Sequence, residues 1–135
     1  MNKYFLFEVR VAGLIFNKKN ELLLIKNPVG SWGTPIGHME KNESFKKTLN
    51  REVKEETGIK IIILTQMKTQ KFGNSIVIPF VCNYKSGNIK LQKEEALDYK
   101  WIKINEMKKL KLTFKGLINE AKIGLNLKNK MNPPA

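Results

Sequence analysis

GHMEKNESFKKTLNREVKEETGI, residues 37–59, is the stretch from which the rest of this chain can be read. It predicts a helix over Ser44–Thr57. Ser44 or Asn42 can accept hydrogen bonds from the free N–H groups of the first turn, and Gly58 suits the left-handed residue that ends a helix. At ~100° per residue with Phe45 at zero, Leu49 and Val53 fall near ~40° and ~80° and define the apolar stripe. Lys46, Lys47, Asn50 and Lys54 occupy the arc from ~100° to ~200°, an ordinary solvated face. Glu52 and Glu56 land near ~340° and ~20°, with Glu55 near ~280°. Two of these three carboxylates therefore stand at, or inside, the edge of the stripe that should be buried.

Partly buried like charges repel one another and lose solvation unless something positive neutralises them. One reading is a solvated face whose basic side chains do so through helical pairs, such as Arg51 with Glu55 in the weaker i,i+4 orientation. Glu52 has Thr48 and Glu56 as its i,i±4 neighbours, and Glu56 has only Lys60 beyond the helix end. Helical pairing is thus expected to leave the cluster uncompensated. The other reading is a divalent cation, which takes hard oxygen ligands at close quarters. The preceding loop suits it: Gly37 lets backbone approach a metal or phosphate, and Arg51 can bridge Glu43 and Glu55 so as to fix the carboxylates.

Outward from this segment the pattern is strand-rich. Tyr4–Phe7 and Val9–Phe16 alternate, Asn17–Asn20 reads as a turn, and Leu22–Ile25 completes a hairpin. Ile59–Gln66 and Ser75–Tyr84 are further strands, with Pro79 demoting part of the second to an edge or bulge. Tyr99–Ile104 carries Trp101 in another. Phe114, Leu117, Ile118, Ala121 and Leu125 recur at helical spacing and predict an amphipathic helix on the sheet. This order implies an α/β fold with a helix on each side of a sheet. A single domain is expected over residues 1–127, with a flexible C-terminal tail over residues 128–135.

With 135 residues, 41% hydrophobic and 27% charged, the composition is that of an ordinary globular domain. No apolar run is long enough to span a bilayer and no signal-peptide pattern opens the chain, so a cytoplasmic location with no membrane partner is expected. The lone Cys82 lies in an apolar run and is read as a buried free thiol. The 25 basic residues outnumber 12 acidic ones, giving +13. All but Arg10 and Arg51 of them are lysines spread along the chain, which reads as general surface basicity more than as a polyanion site.

Gly37, Glu43, Arg51-Glu52-Val53, Glu55-Glu56, Gly58 and Ile59 fill every defined position of the pattern G-x5-E-x7-R-E-U-x-E-E-x-G-U, where U is a bulky aliphatic. In this the chain resembles the Nudix hydrolases, and its size, its N-terminal hairpin and Trp32-x-x-Pro35 are similar to those of small MutT-like members. The resemblance implies a Nudix fold, an α/β/α sandwich with a mixed β-sheet between helices. It implies hydrolysis of a diphosphate linkage in a nucleoside diphosphate linked to some group X. The ligands to Mg²⁺, or to Mn²⁺ as a substitute, would be Glu52, Glu55, Glu56 and the Gly37 carbonyl, oriented by Arg51 and Glu43. The catalytic set would comprise Glu52, Glu55 and Arg51, with the general base either Glu52 or a glutamate of the Glu94-Glu95 pair, Glu95 being preferred there. Departures from the common pattern are Ile36 where many members have a second glycine, Asn42 where glycine often stands, and Thr48 where alanine is common.

Substrate signals lie outside this box and are sparse. The flanking tyrosine, proline and other motifs that mark dinucleoside polyphosphate, ADP-ribose, coenzyme A and NADH members are absent. The default is therefore a nucleoside triphosphate cleaved to a monophosphate and pyrophosphate. Dinucleoside polyphosphate or ADP-ribose hydrolysis is one alternative, and a non-catalytic nucleotide- or RNA-binding domain is another. Candidate substrate contacts are Arg10 and Lys26 from the hairpin, Phe72 for base stacking, and His38, which touches phosphate or caps the loop. The expected partner is a small-molecule nucleotide. No stable nucleic-acid partner is expected, and a homodimer is left open.

Overall fold

Along Glu8–Phe16 (β1), successive side chains enter opposite cores: Val11 and Ile15 join one apolar cluster, Leu14 and Phe16 the other. Leu22–Lys26 (β2) divides likewise, Leu23 and Ile25 from Leu22 and Leu24. Strands apolar on both faces need a cover on each. A computed structural model, which describes residues 3–92, 94 and 96–131, shows how both covers are supplied.

The remaining strands are Trp32–Gly33 (β3), Ile36–His38 (β4), Lys60–Gln66 (β5), Gln70–Phe72 (β6), Ser75–Ser86 (β7) and Asp98–Ile102 (β8). They form one mixed sheet ordered β3-β2-β1-β7-β5, with β4 on β1, β6 on β7 and β8 on β2. β1 and β7 run parallel from Glu8↔Ser75 to Phe16↔Asn83, while the other pairings are antiparallel. Helix α1 (Phe45–Thr57) lays Leu49 and Val53 on the Val11/Ile15 face. Helix α2 (Leu117–Met131) lays Leu117 and Ala121 on the Leu14/Phe16 face. The result is the expected α/β/α sandwich. No helix among the described residues is long and apolar enough to cross a membrane.

The expected hairpin is present but opens almost at once. β1 and β2 are in register only at Phe16↔Leu22, and β4 takes the place beside β1, with Arg10↔His38, Val11↔Gly37 and Ala12↔Ile36. That splay brings the box glycine to the middle of the sheet, against the middle of α1 at Glu52. The strand itself begins at Glu8, and Tyr4, Phe5 and Leu6 are exposed ahead of it.

Other local expectations shift for identifiable reasons. Pro79 lies in an interior strand, not an edge, opposite Ala12 in the parallel ladder. Its carbonyl accepts from Met67 N on the other side, where β5 has ended at Gln66↔Phe80 and β6 begins only at Gln70↔Val77. The missing N–H of the proline thus falls at a break in pairing, where it costs no ladder bond. Phe45, assigned to the apolar stripe of α1, is substantially exposed, and Thr48 and Thr57 are buried instead. Helix α2 continues to Met131, into the first part of the segment expected to be a tail, and residues 132–135 lie outside the described residues. Just ahead of that segment Leu125 and Leu127 pack on the core, and within it Lys128 Nζ donates to Asn20 Oδ1 at 2.6 Å.

Candidate active site

The approach of Gly37 to α1 defines the site. A methyl group in place of its hydrogen would stand 1.9 Å from Cδ of Glu52 and 2.2 Å from its Oε2. Glycine is needed here for space, since the Glu52 carboxyl lies against the Gly37 backbone. The chain enters α1 through Asn42, whose φ of +66° accounts for the glycine often found at that position of the pattern. Ser44 Oγ caps by accepting from Lys47 N at 3.1 Å, and Gly58 closes the helix at φ +76°.

Arg51 is the hub. Its Nε and Nη2 donate to the two oxygens of Glu43 at 2.7 and 3.0 Å, and Nη2 also donates to the His38 carbonyl at 2.9 Å. Its Nη1 donates to Glu52 at 2.8 Å and to Glu55 at 3.3 Å. The fork geometry of a guanidinium allows this and a lysine amine would not. The Glu43 side chain is only 6% exposed. Arg51 above all, then the Glu40 N–H and Thr48 Oγ1, hold its carboxyl down from the ordinary 4.5 to about 2. Reciprocally, Glu43 raises the guanidinium further above its already high range. Thr48, the departure from alanine, therefore strengthens the loop through its 2.9 Å bond to Glu43.

One sequence expectation is corrected here. Side-chain pairing was expected to leave Glu52 uncompensated, because its neighbours at i−4 and i+4 are Thr48 and Glu56. The long Arg51 side chain folds back and reaches Glu52 regardless. Glu55 is the more open carboxylate, at 55% side-chain exposure. Among the described residues no three His, Cys, Asp or Glu side chains are gathered into a metal-sized cluster. In kind, the hard oxygens of Glu52, Glu55 and Glu56 and the contact of Glu52 with bare Gly37 backbone suit a divalent cation. In position, Glu52 and Glu55 are held by Arg51.

On the opposite face of the sheet from α1, under Ile36, a cavity of about 340 Å³ opens against α2. Arg10, Ile36 and Val77 belong to its sheet wall, and Phe72 and Phe114 contribute an aromatic corner with ring centroids 5.3 Å apart. The departure at Ile36 thus gives this cavity an apolar flank. Glu120, on α2, is also in the lining at 8% exposure and accepts a hydrogen bond from Gln70. Burial pushes its carboxyl above the usual range, and the Gln70 bond only partly opposes this. Neither Glu120 nor Gln70 was singled out from sequence. The only hint was an acid on the inward face of an amphipathic helix, and the 50-residue separation between the two hides the pair.

Of the other predicted contacts, Arg10 and Phe72 line the cavity. The Arg10 Nε is buried without a hydrogen bond, 3.8 Å from a Glu8 oxygen. His38 is exposed and outside the cavity lining, with Nε2 3.0 Å from Glu8 Oε2. Glu8 also accepts from Ser75, and these two partners, Ser75 foremost, lower its carboxyl. Lys26 lies away from the cavity lining, 6.0 Å from the Trp32 ring. Glu94 is exposed in the loop before β8, and Glu95 lies outside the described residues. Cys82 is buried as expected, and burial pushes its thiol far up.

Comparison with known proteins adds to this geometry. The family model described as NUDIX domain matches residues 6–119. An NAD-capped RNA hydrolase NudC from Mannheimia succiniciproducens is 43% identical over 79 residues, 57% of this chain and 30% of that protein. Putative nudix hydrolase 1 of Caenorhabditis elegans is 32% identical over 112 residues, 75% of this chain and 31% of its own length. This chain therefore spans about a third of the length of those relatives. Among solved structures, a MutT protein from Methanosarcina mazei superposes with a TM-score of 0.71 at 26% identity, covering 96% of this chain and 99% of that one. An ADP-ribose pyrophosphatase from Streptococcus suis reaches 0.78 at 17% identity, covering 90% and 91%.

Proposed function

We propose, from the premise that this chain belongs to the Nudix family, that it hydrolyses a diphosphate linkage in a nucleoside diphosphate joined to a group X. The observation that carries this reading is the juxtaposition of the Arg51-centred carboxylates with a nucleoside-sized cavity across the β1–β4 pair. Nudix proteins generally use divalent cations, and Mg²⁺ is the ion we assign. Gly37, Glu52, Glu55 and Glu56 would hold it. When bound, it neutralises diphosphate oxygens and acidifies a water molecule.

This chain's own residues do the rest. Arg51, pinned by Glu43 and the His38 carbonyl, sets where the Glu52 and Glu55 carboxylates stand. Glu52 or a glutamate of the Glu94-Glu95 pair takes the proton from the attacking water. Phe72 and Phe114 present aromatic surface to a base, while Gln70 and Glu120 offer it a hydrogen-bonding edge. Arg10, with an unspent Nε–H in the cavity wall, faces the phosphate end.

For X, phosphate is the default, which makes the substrate a nucleoside triphosphate. The likeness to NAD-capped RNA hydrolases over 79 residues favours a second reading in which X is another nucleoside, as in the dinucleotide NAD. The test is a Mg²⁺-dependent hydrolysis panel of nucleoside triphosphates, NAD, ADP-ribose, diadenosine tetraphosphate and 5′-triphosphate RNA, with products separated chromatographically. We expect one substrate to stand ~10²-fold above the rest in kcat/KM, about 2.7 kcal/mol of discrimination. Nucleotide binding without turnover of any of them would overturn hydrolysis in favour of a binding role.

A further inference from the structure

At the far end of β1, roughly 17 Å along the strand from Val11 to Phe16 at ~3.3 Å per residue, two hollows share Asn17 and Tyr84 in their walls. The first, about 250 Å³, is bounded by Tyr84, Tyr99 and Trp101, with Asn88 on its rim. Tyr84 and Trp101 stand edge to face at 5.6 Å, and Tyr99 is 40% exposed. The second, about 470 Å³, is bounded by Lys18, Lys85 and Lys128. Among the described residues none of these three amines is in a salt bridge. Lys128 donates to Asn20 Oδ1 and the Asn17 carbonyl, and burial lowers its pKa. Glu21 is engaged with the Asn17 amide at 2.9 Å and lines neither hollow. Asn83, in the basic hollow, has a buried Oδ1 without a partner.

An aromatic compartment adjoining three amines outside any salt bridge has the chemistry of a base with its phosphate. Ring faces stack on a nucleobase whatever its sequence, and Lys128, whose amine burial has already stripped of some water, gains most from an anion, with Lys18 and Lys85 adding positive field. A ligand hydroxyl reaching Asn83 would supply its missing hydrogen bond. We propose that this groove is a second, non-catalytic nucleotide site: base against Tyr84, Tyr99 and Trp101, phosphate on Lys18, Lys85 and Lys128. The occupant is either a free nucleotide or one unit of a polynucleotide, and the two share this chemistry. Read linearly, the sequence shows no basic and aromatic patch. The fold builds one from residues 17–18, 83–88, 99–101 and 128.

The test is calorimetric titration of adenosine 5′-monophosphate and of an eight-residue oligoadenylate into the wild-type chain, Lys18→Ala/Lys85→Ala and Phe72→Ala. Both lysines are exposed, so the double variant folds. We expect a binding event that weakens about tenfold in the lysine variant, in keeping with the loss of two phosphate contacts. Phe72→Ala leaves that event unchanged, and the lysine variant keeps wild-type kcat/KM on the best panel substrate. An oligonucleotide binding tenfold tighter than the monophosphate supports a polynucleotide occupant, and equal affinities support a free nucleotide. No binding by either probe, binding indifferent to the lysines, or binding abolished by Phe72→Ala would each overturn the second site.

Discussion

Replacing Gly37 by alanine separates the geometry of the site from the stability of the fold. The glycine has no positive φ, so an alanine strains no backbone and the whole effect is steric. Its Cβ would lie 1.9 Å from Glu52 Cδ. Ordinary carbon–carbon contact is about 3.5 Å, so the carboxyl must retreat by roughly 1.5 Å. The atom that moves is the end of a flexible side chain, and rotating it away costs on the order of 1 kcal/mol. A displacement of that size at a reacting centre costs ~10²-fold in rate. Melting by circular dichroism and kcat/KM on the best panel substrate should therefore part company, with Tm falling only a few degrees and activity falling ~10²-fold. Gly37→Ala with wild-type kcat/KM would refute the argument that the Glu52 carboxyl works from its place against Gly37. A Tm loss large enough to explain the activity loss by unfolding would refute it equally.

Other perturbations test separate parts of the account. Arg51→Lys forfeits the paired bonds to Glu43 and the bond to the His38 carbonyl; chemical denaturation should show a loss on the order of 2 kcal/mol, and kcat should fall with KM little changed. The Glu43 carboxyl is held down from 4.5 to about 2, so the stability it contributes is complete above about 4.5 and drains away as pH falls toward 2. Glu43→Gln should accordingly flatten the acid limb of a stability–pH curve across that window. Glu120 has the opposite sign: its raised pKa favours the protonated native state, so stability falls as pH rises from its unfolded value through its folded one. Glu120→Gln, which puts an uncharged amide of similar size in the lining, should gain on wild type in Tm at pH 8 relative to pH 4.

The sequence carried α1, its caps and its acidic face because those are local: helix period, a serine before it and a glycine after it. The order of strand and helix segments along the chain carried the layering, since each segment is also read locally. Long-range partnerships were hidden. The parallel pairing of β1 with β7 joins residues far apart in the chain, and only that pairing makes Pro79 interior. Within the site, the glutamates of the box were readable from their misplaced position on the wheel, but Arg51 reaching its own neighbour Glu52 depends on a rotamer that no periodicity encodes. The cavity was least legible, since Arg10, Phe72, Phe114 and Glu120 come from four separate segments. Phe72 was anticipated as a base contact because it adjoins a glycine turn, and Glu120 passed as one more helix-surface acid.

The measurement closest to the central claim is the kcat of Glu56→Gln on the best panel substrate at saturating Mg²⁺, with Tm recorded on the same preparation. The substitution keeps the side-chain volume and removes one of the carboxylates assigned to the cation. The account predicts a fall of at least ~10³-fold, about 4 kcal/mol, at a Tm close to that of wild type. Full activity in the folded variant would contradict it.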